Sequence, residues 1–152
     1  MGTRIRPELS EKNKYHISKH RYYELKHFCL QYPMWKRYYD SFIFRPSAVV
    51  VTLSSKHSRA LDTVTQNLEE RLYYLKKMRM VEEAAKETDE KLSCYILKGV
   101  TEGLSYDVLR VNADIPCCRE VYYDLYRRFF WILSTKKEQM FANYTNPLMK
   151  GW

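Results

Sequence analysis

Glycine and proline are scarce in this chain, which has four glycines and five prolines among its 152 residues. So few turn-forming residues disfavour an all-β fold and favour helices. They also leave little material for a glycine-rich loop that cradles phosphate, and the sequence contains no GxSxG motif, Walker loop or dinucleotide-binding turn. We therefore expect an all-α protein of five or six helices that is not an enzyme and uses no cofactor.

Long apolar runs and paired cysteines are also missing. The longest apolar run, Phe129 to Leu133, is far too short to cross a bilayer, and no signal peptide is recognised. The four cysteines form no CxxC pair, and we interpret the adjacent Cys117 and Cys118 as reduced thiols rather than a disulfide or metal ligands. These absences predict a cytoplasmic protein without a membrane partner.

A histidine pair gives the nearest approach to a metal motif. His16 and His20 are four residues apart, and Glu24 follows one turn later, so the three could share a helix face. Nothing else at ligand spacing supports a site. We expect these residues to have ordinary packing and charge roles, and we predict no metal site.

Basic and aromatic residues are abundant instead. The net charge is +8 and the chain contains fourteen tyrosines. The charge is uneven: residues 1–58 carry 11 basic and 4 acidic side chains, 59–102 carry 8 and 9, and 103–152 carry 7 and 5. Such an excess suits a protein that binds the phosphate backbone of nucleic acid, although a merely soluble cationic surface has the same composition.

The N-terminal third is predicted to form a helical hairpin. Ser18 can cap a helix that runs to about Gln31, where Pro33 ends it, and a second short helix is predicted over Met34–Phe42. Cationic residues alternate with aromatic ones here, which suits nucleic acid and is equally compatible with packing onto the rest of the chain. The candidate nucleic-acid contacts in this segment are Lys19 and Arg21.

A long amphipathic helix is predicted after a linker. The linker covers 43–58 and includes Val49-Val50-Val51, which suits a short strand or a buried turn. From about Ser58 to Lys86 apolar residues recur every three or four positions, which favours a core helix and leaves a homodimer through this face open. The apolar positions are Leu61, Val64, Leu68, Leu72, Leu75, Met78 and Val81.

Capping residues predict two further helices. Thr88 is expected to cap a helix that ends near Gly103, a residue suited to the left-handed C-terminal position. Ser105 is expected to cap the next helix, which should end at about Ala113.

The last helix completes the predicted organisation. Pro116 suits its first turn, and it should reach about Ser134. We thus expect a basic aromatic segment over 1–57, a long helix with a helix-turn-helix over 58–137, and a tail over 138–152 that is loose or lies on the surface.

The pattern from 102 to 128 is typical of a helix-turn-helix, because a glycine turn, a capped short helix and a corner precede a basic, aromatic helix. On a helical wheel, that last helix has two faces. Its apolar face contains Val121, Tyr122, Leu125, Phe129, Ile132 and Leu133, and its opposite face contains Arg119, Tyr123, Tyr126, Arg127 and Phe130.

The second of these faces, here called the outer face, is predicted to enter the major groove of DNA. Arg119 and Tyr123 lie nearest the start of the helix, where base edges are normally contacted. Arg127, Arg128 and Lys136 are expected to hold phosphates, and Tyr126 completes the candidate set. The alternatives are a core helix with solvated arginines, or rings covered by the N-terminal hairpin.

The segment Leu92–Arg128 resembles region four of bacterial sigma factors and the ArpU- and RinA-type transcriptional regulators of Firmicutes prophages. The resemblance rests on the Glu-Gly-Leu-Ser turn at 102–105, on Leu109 and Ile115, on the Tyr122-Tyr123 pair and on Arg127-Arg128. The chain departs from that pattern in a longer corner at 115–119 and in Asp114, where glycine is common. The resemblance implies transcriptional regulation in a phage or prophage through double-stranded DNA, in the cytoplasm of the bacterial host cell, with contact to host RNA polymerase.

A second hypothesis comes from the basic aromatic block over 1–57, which the regulator family does not explain. Small phage proteins with such surfaces can inhibit a host defence system. The concrete case is an anti-CRISPR protein that binds a Cas nuclease, its guide RNA or its DNA channel. A third is a structural assembly protein that dimerises through the long helix.

Overall fold

The fold is all-α, as the sequence predicts. The computed structural model describes residues 13–44 and 57–145, and this part of the chain contains six helices and no β-strand. The helices are α1 (Lys19–Leu30), α2 (Tyr32–Phe44), α3 (His57–Thr88), α4 (Ser93–Glu102), α5 (Tyr106–Ala113) and α6 (Arg119–Thr145). The three valines of the predicted linker lie outside the described residues. None of the described helices has the length and apolar character needed to span a membrane.

The described residues divide into two compact units. The first unit comprises 13–31 together with 80–145, and the second is Tyr32–Arg79. The boundary therefore falls within α3 rather than at residue 57, where the sequence analysis placed it. The difference arises because α1 packs against α4 and α6, so the N-terminal helix belongs with the C-terminal ones.

Helix α1 begins and ends where its residues predict. The Ser18 hydroxyl accepts a hydrogen bond from the backbone N–H of Arg21, which satisfies one of the unpaired donors of the first turn. Its buried face consists of Tyr22, Leu25 and Cys29, spaced three and four residues apart. The predicted cap of this helix is confirmed.

The start of α4 differs from the prediction. Thr88 is the last residue of α3, and its buried hydroxyl donates to the carbonyl of Ala84, one turn earlier, at 2.7 Å. The carboxylate of Asp89 instead accepts from the backbone N–H groups of Lys91 and Leu92, both at 2.9 Å. The prediction that Thr88 caps α4 was wrong because the next residue supplies the acceptor of this turn.

Two residues that were predicted to end α4 and to cap α5 are confirmed in these roles. Gly103 ends α4 in the left-handed region, with φ of 67° and ψ of 34°, where a side chain is disfavoured. The Ser105 hydroxyl accepts from the backbone N–H of Val108, which caps α5. The helix ends at Ala113, as expected.

Helix α6 is displaced and longer than predicted. It begins at Arg119 rather than near Pro116, and it continues to Thr145 instead of ending near Ser134. Ion pairs from Lys136 to Glu87 and from Lys137 to Glu24 attach the added turns to α3 and α1. Because these partners are remote in sequence, local periodicity gave no sign of the extension.

The apolar stripe of α3 is buried over only part of its length. Met78 and Val81 are buried, whereas Val64, Leu68 and Leu72 are exposed in the second unit. The expectation of a core helix over the whole stripe is therefore wrong for its N-terminal half.

A close approach between α4 and α6 shapes the core of the first unit. A side chain at Gly99 would collide with the hydroxyl of Tyr122, and its Cβ would lie 3.2 Å from a methyl group of Leu109. The Tyr122 hydroxyl is buried and has no hydrogen-bond partner among the described residues. Only a residue without a Cβ allows this ring to pack here.

We expect Gly99→Ala to lower the free energy of unfolding by about 1–3 kcal/mol, because the added methyl group overpacks the core. Tyr122→Phe should raise it by about 1 kcal/mol, since it removes a buried hydroxyl without a partner. In the double variant, most of the cost of the alanine should disappear. Urea denaturation of the four proteins measures the coupling, and additive effects would contradict the proposed collision.

Candidate nucleic-acid interface

A five-residue corner at 114–118 joins α5 to α6 and fixes the start of the last helix. Asp114 adopts a left-handed conformation with φ of 51°. The hydroxyl of Tyr106 donates to the carbonyl of Cys117 at 2.6 Å, which ties the first residue of α5 to the end of the corner. Beneath the corner lies a small apolar cluster of Tyr106, Leu109, Ile115 and Tyr122. The first turn of α6 therefore projects from a packed base.

Arg119 is the first residue of α6 and is accessible to a ligand. Its side chain is 42% exposed, and its guanidinium group lies 5.6 Å from the ring centroid of Tyr123. A carboxylate oxygen of Asp107 lies 3.7 Å from the same group, a distance typical of a weak surface pair. The ring and the carboxylate orient the arginine without covering it.

Tyr123 is less available than its position on the wheel indicates. Its ring is half-buried against the rings of Tyr122 and Tyr126. Its hydroxyl accepts a long hydrogen bond, 3.4 Å, from the backbone N–H of Tyr106. Tyr123 thus supports the corner and the guanidinium group of Arg119.

Helix α1 covers the middle of the predicted outer face. The ring of Tyr22 packs against Tyr126 and Phe130, with centroid distances of 6.2 and 5.1 Å. The hydroxyl oxygens of Tyr22 and Tyr126 lie 2.7 Å apart in a hydrogen bond. The alternative in which N-terminal rings cover these residues is therefore the one observed, and the half-buried Tyr126 is engaged within the protein through its ring and its hydroxyl.

Two of the predicted phosphate contacts are engaged within the protein. The side chain of Arg127 is only 17% exposed and is paired with Asp124. That of Lys136 is 20% exposed and lies 2.6 Å from Glu87 and 3.6 Å from Glu83. Neutralised cations of this kind contribute little to counterion release. Arg128 is half-buried.

The two N-terminal candidates have different environments. Lys19 is exposed at the first residue of α1. Arg21 donates to the hydroxyl of Ser134 at 3.0 Å and to its carbonyl at 3.2 Å, so it joins α1 to α6. A hydrogen bond from Lys137 holds the pKa of the Glu24 carboxyl below its ordinary value, and Arg21 adds to this effect. Arg21 is thus a structural residue of the first unit.

The described residues contain no group of three His, Cys, Asp or Glu side chains that is placed to hold a metal ion. Glu24, the third residue of the histidine motif, is instead paired with Arg21 and Lys137.

The sequence analysis missed the outward face of α5. Tyr106 and Leu109 are buried, which leaves Arg110 and Val111 on the exposed side, and Val111 is 83% exposed. The three-residue spacing of the buried pair could have indicated this face. Over 106–128 four acidic side chains balance four arginines. The surface formed by α5, the corner and the start of α6 is therefore not strongly basic.

Comparison with protein-family models, with curated protein sequences and with solved structures finds no match for this chain. The resemblance to phage regulators therefore stays a prediction based on the motif.

Burial of tyrosine hydroxyls predicts sensitivity to alkaline pH. Desolvation raises the pKa of Tyr22, Tyr122 and Tyr126 above the ordinary value for tyrosine. The raised pKa values cost no stability below the unfolded pKa, about 10, and they lower the free energy of unfolding as the pH rises above it, because only the unfolded chain then releases its protons.

We expect Tyr126→Phe to reduce the loss of unfolding free energy between pH 9 and 11, as measured by urea denaturation. Tyr73→Phe, at a ring that is largely exposed, is the matched control for removal of a hydroxyl. An unchanged pH dependence in the Tyr126 variant would show that this hydroxyl does not stay protonated in the folded protein.

Proposed function

We propose that this protein binds double-stranded DNA through α5, the corner and the first turn of α6, and acts as a transcriptional regulator of a phage or prophage. The observation that carries the proposal is the position of Arg119. It is the first residue of a helix held by a packed corner, and its guanidinium group is accessible. In helix-turn-helix proteins, the start of the second helix is the part that reaches base edges.

The contact surface that we propose is smaller than the one predicted from the sequence. Arg119 contacts a base. A guanine suits this contact, because its edge offers two acceptors to one guanidinium group. Arg110 on α5 and Arg128 on α6 contact phosphates, since the first helix of such motifs crosses the backbone. Tyr123 orients Arg119 and does not itself contact a base.

The local charge balance has a consequence for specificity. Asp107 and Asp124 lie close to Arg119 and Arg127 and lower the attraction of the corner to any phosphate backbone. Non-specific binding through the corner is thus weak, and a correct base sequence must supply much of the affinity.

We expect Arg119→Ala to reduce discrimination between a selected duplex and a random one by about 1–3 kcal/mol, because it removes the base contact. The selected duplex is obtained from a random library with the wild-type protein, and both affinities are measured by gel shift at fixed salt concentration. Arg110→Ala and Arg128→Ala should weaken both duplexes alike.

Lys136→Ala and Arg127→Ala are the matched controls, because both cations are paired within the protein. They should change either affinity less than Arg110→Ala does. No enrichment of any duplex by the wild-type protein, or equal losses on both duplexes for Arg119→Ala, would refute the proposed contact.

A second candidate function is inhibition of a host defence system, in the form of an anti-CRISPR protein that binds a Cas nuclease or its ribonucleoprotein. The observation in its favour is a set of exposed apolar side chains on the two helices that flank the corner. They are Val108 and Val111 on α5 and Val121 on α6, and the charges around them are balanced. Such a surface suits a protein partner, because charged residues are depleted at interface cores. Capture of a purified Cas ribonucleoprotein that is lost in Val111→Asp, without duplex binding, would favour this function over the first.

A further inference from the structure

The second unit has exposed aromatic rings that the proposed function does not use. Tyr38 of α2 and Tyr73 of α3 both contact Tyr74, with ring centroids 5.3 and 5.4 Å away. Tyr38 is 46% exposed and Tyr73 is 55% exposed. We call these three residues the tyrosine platform. Two exposed rings that share one supporting ring are close enough to contact neighbouring groups of a single ligand.

One cation lies over a ring of the tyrosine platform, and two more follow it closely on the same helix. The ammonium group of Lys77 is 4.1 Å from the ring centroid of Tyr73 and 5.3 Å from that of the buried Trp35. Lys76 and Arg79 on the same helix are exposed. The stretch 32–79 carries 9 basic and 4 acidic residues, so this part of the chain holds +5 of the total charge of +8.

Two carboxylates limit where an anion can lie. Glu69 and Glu70 are exposed and precede Tyr73 by about one helical turn. The lysines and Arg79 follow the ring on its other side. A polyanion that contacts Tyr73 is therefore directed toward the C-terminal end of this segment of α3.

We propose that the tyrosine platform binds single-stranded nucleic acid, with unpaired bases stacked on Tyr38 and Tyr73 and phosphates near Lys76, Lys77 and Arg79. Exposed tyrosine rings beside cations are the features that such binding requires. A duplex hides the faces of its bases, so this ligand differs from the one proposed for the corner. A protein partner fits less well, because lysine is depleted at the cores of protein interfaces.

The test is fluorescence anisotropy at low salt with the full chain and labelled single strands of one sequence, as DNA and as RNA. An abasic strand of equal length controls for phosphate contacts alone and should bind more weakly. Tyr38→Leu and Tyr73→Leu should each weaken binding about 5- to 150-fold, whereas the two Phe variants should bind as the wild type does. Glu70→Gln should bind more tightly.

Several outcomes decide the matter. Preference for either sugar, or equal binding of both strands, supports the proposal, because stacking uses the bases. Equal affinity for the abasic strand, no binding of any single strand, or unchanged binding by both Leu variants would overturn it. Arg119→Ala should leave single-strand binding unchanged, so failure here and failure of the duplex proposal are distinguishable. The Phe variants and thermal melting of each protein exclude misfolding as the cause of a loss.

Discussion

The packing of Tyr22 against Tyr126 and Phe130 is the contact on which the functional surface of the first unit depends. It uses the face of α6 that would otherwise be its most aromatic and accessible one. Arg21 and Lys137 reinforce it through hydrogen bonds and an ion pair between α1 and α6. With the middle of this face of α6 covered by α1, its first turn and the neighbouring α5 remain accessible to a ligand. Binding of duplex DNA through this face is therefore limited to a short contact surface.

Local chemistry explains which parts of the fold could be predicted. The caps at Ser18 and Ser105 and the left-handed Gly103 each depend on a few adjacent residues, and all three are found where the sequence places them. The extension of α6 and the covering of Tyr126 depend on partners that are remote in the sequence, namely Glu24, Glu87 and Tyr22. Amphipathic periodicity identifies an apolar or aromatic face, but it does not say which helix will cover it.

The candidate site shows the same division between local and remote information. The position of Arg119 at the start of α6 follows from the corner. The ion pairs of Lys136 with Glu83 and Glu87, in contrast, form because the end of α3 lies beside α6. The pairing of Arg127 is different, because Asp124 lies three residues earlier on the same helix. That spacing is visible in the sequence and is typical of a stabilising ion pair on a helix. It therefore predicts that Arg127 is less available as a phosphate contact.

Most of the net positive charge and the surface proposed for duplex DNA lie in different parts of this chain. The surface that we propose for duplex DNA has nearly balanced charges, whereas the stretch 32–79 has most of the net positive charge and exposed rings. Electrostatic attraction to nucleic acid scales with the number of phosphates neutralised, so the two proposals together assign general affinity to the second unit and sequence preference to the first. Two weak sites of this kind on one chain would raise each other's effective concentration if one nucleic acid engaged both. A regulator that acts where duplex and single strand meet, as in an opened promoter, would gain from that combination.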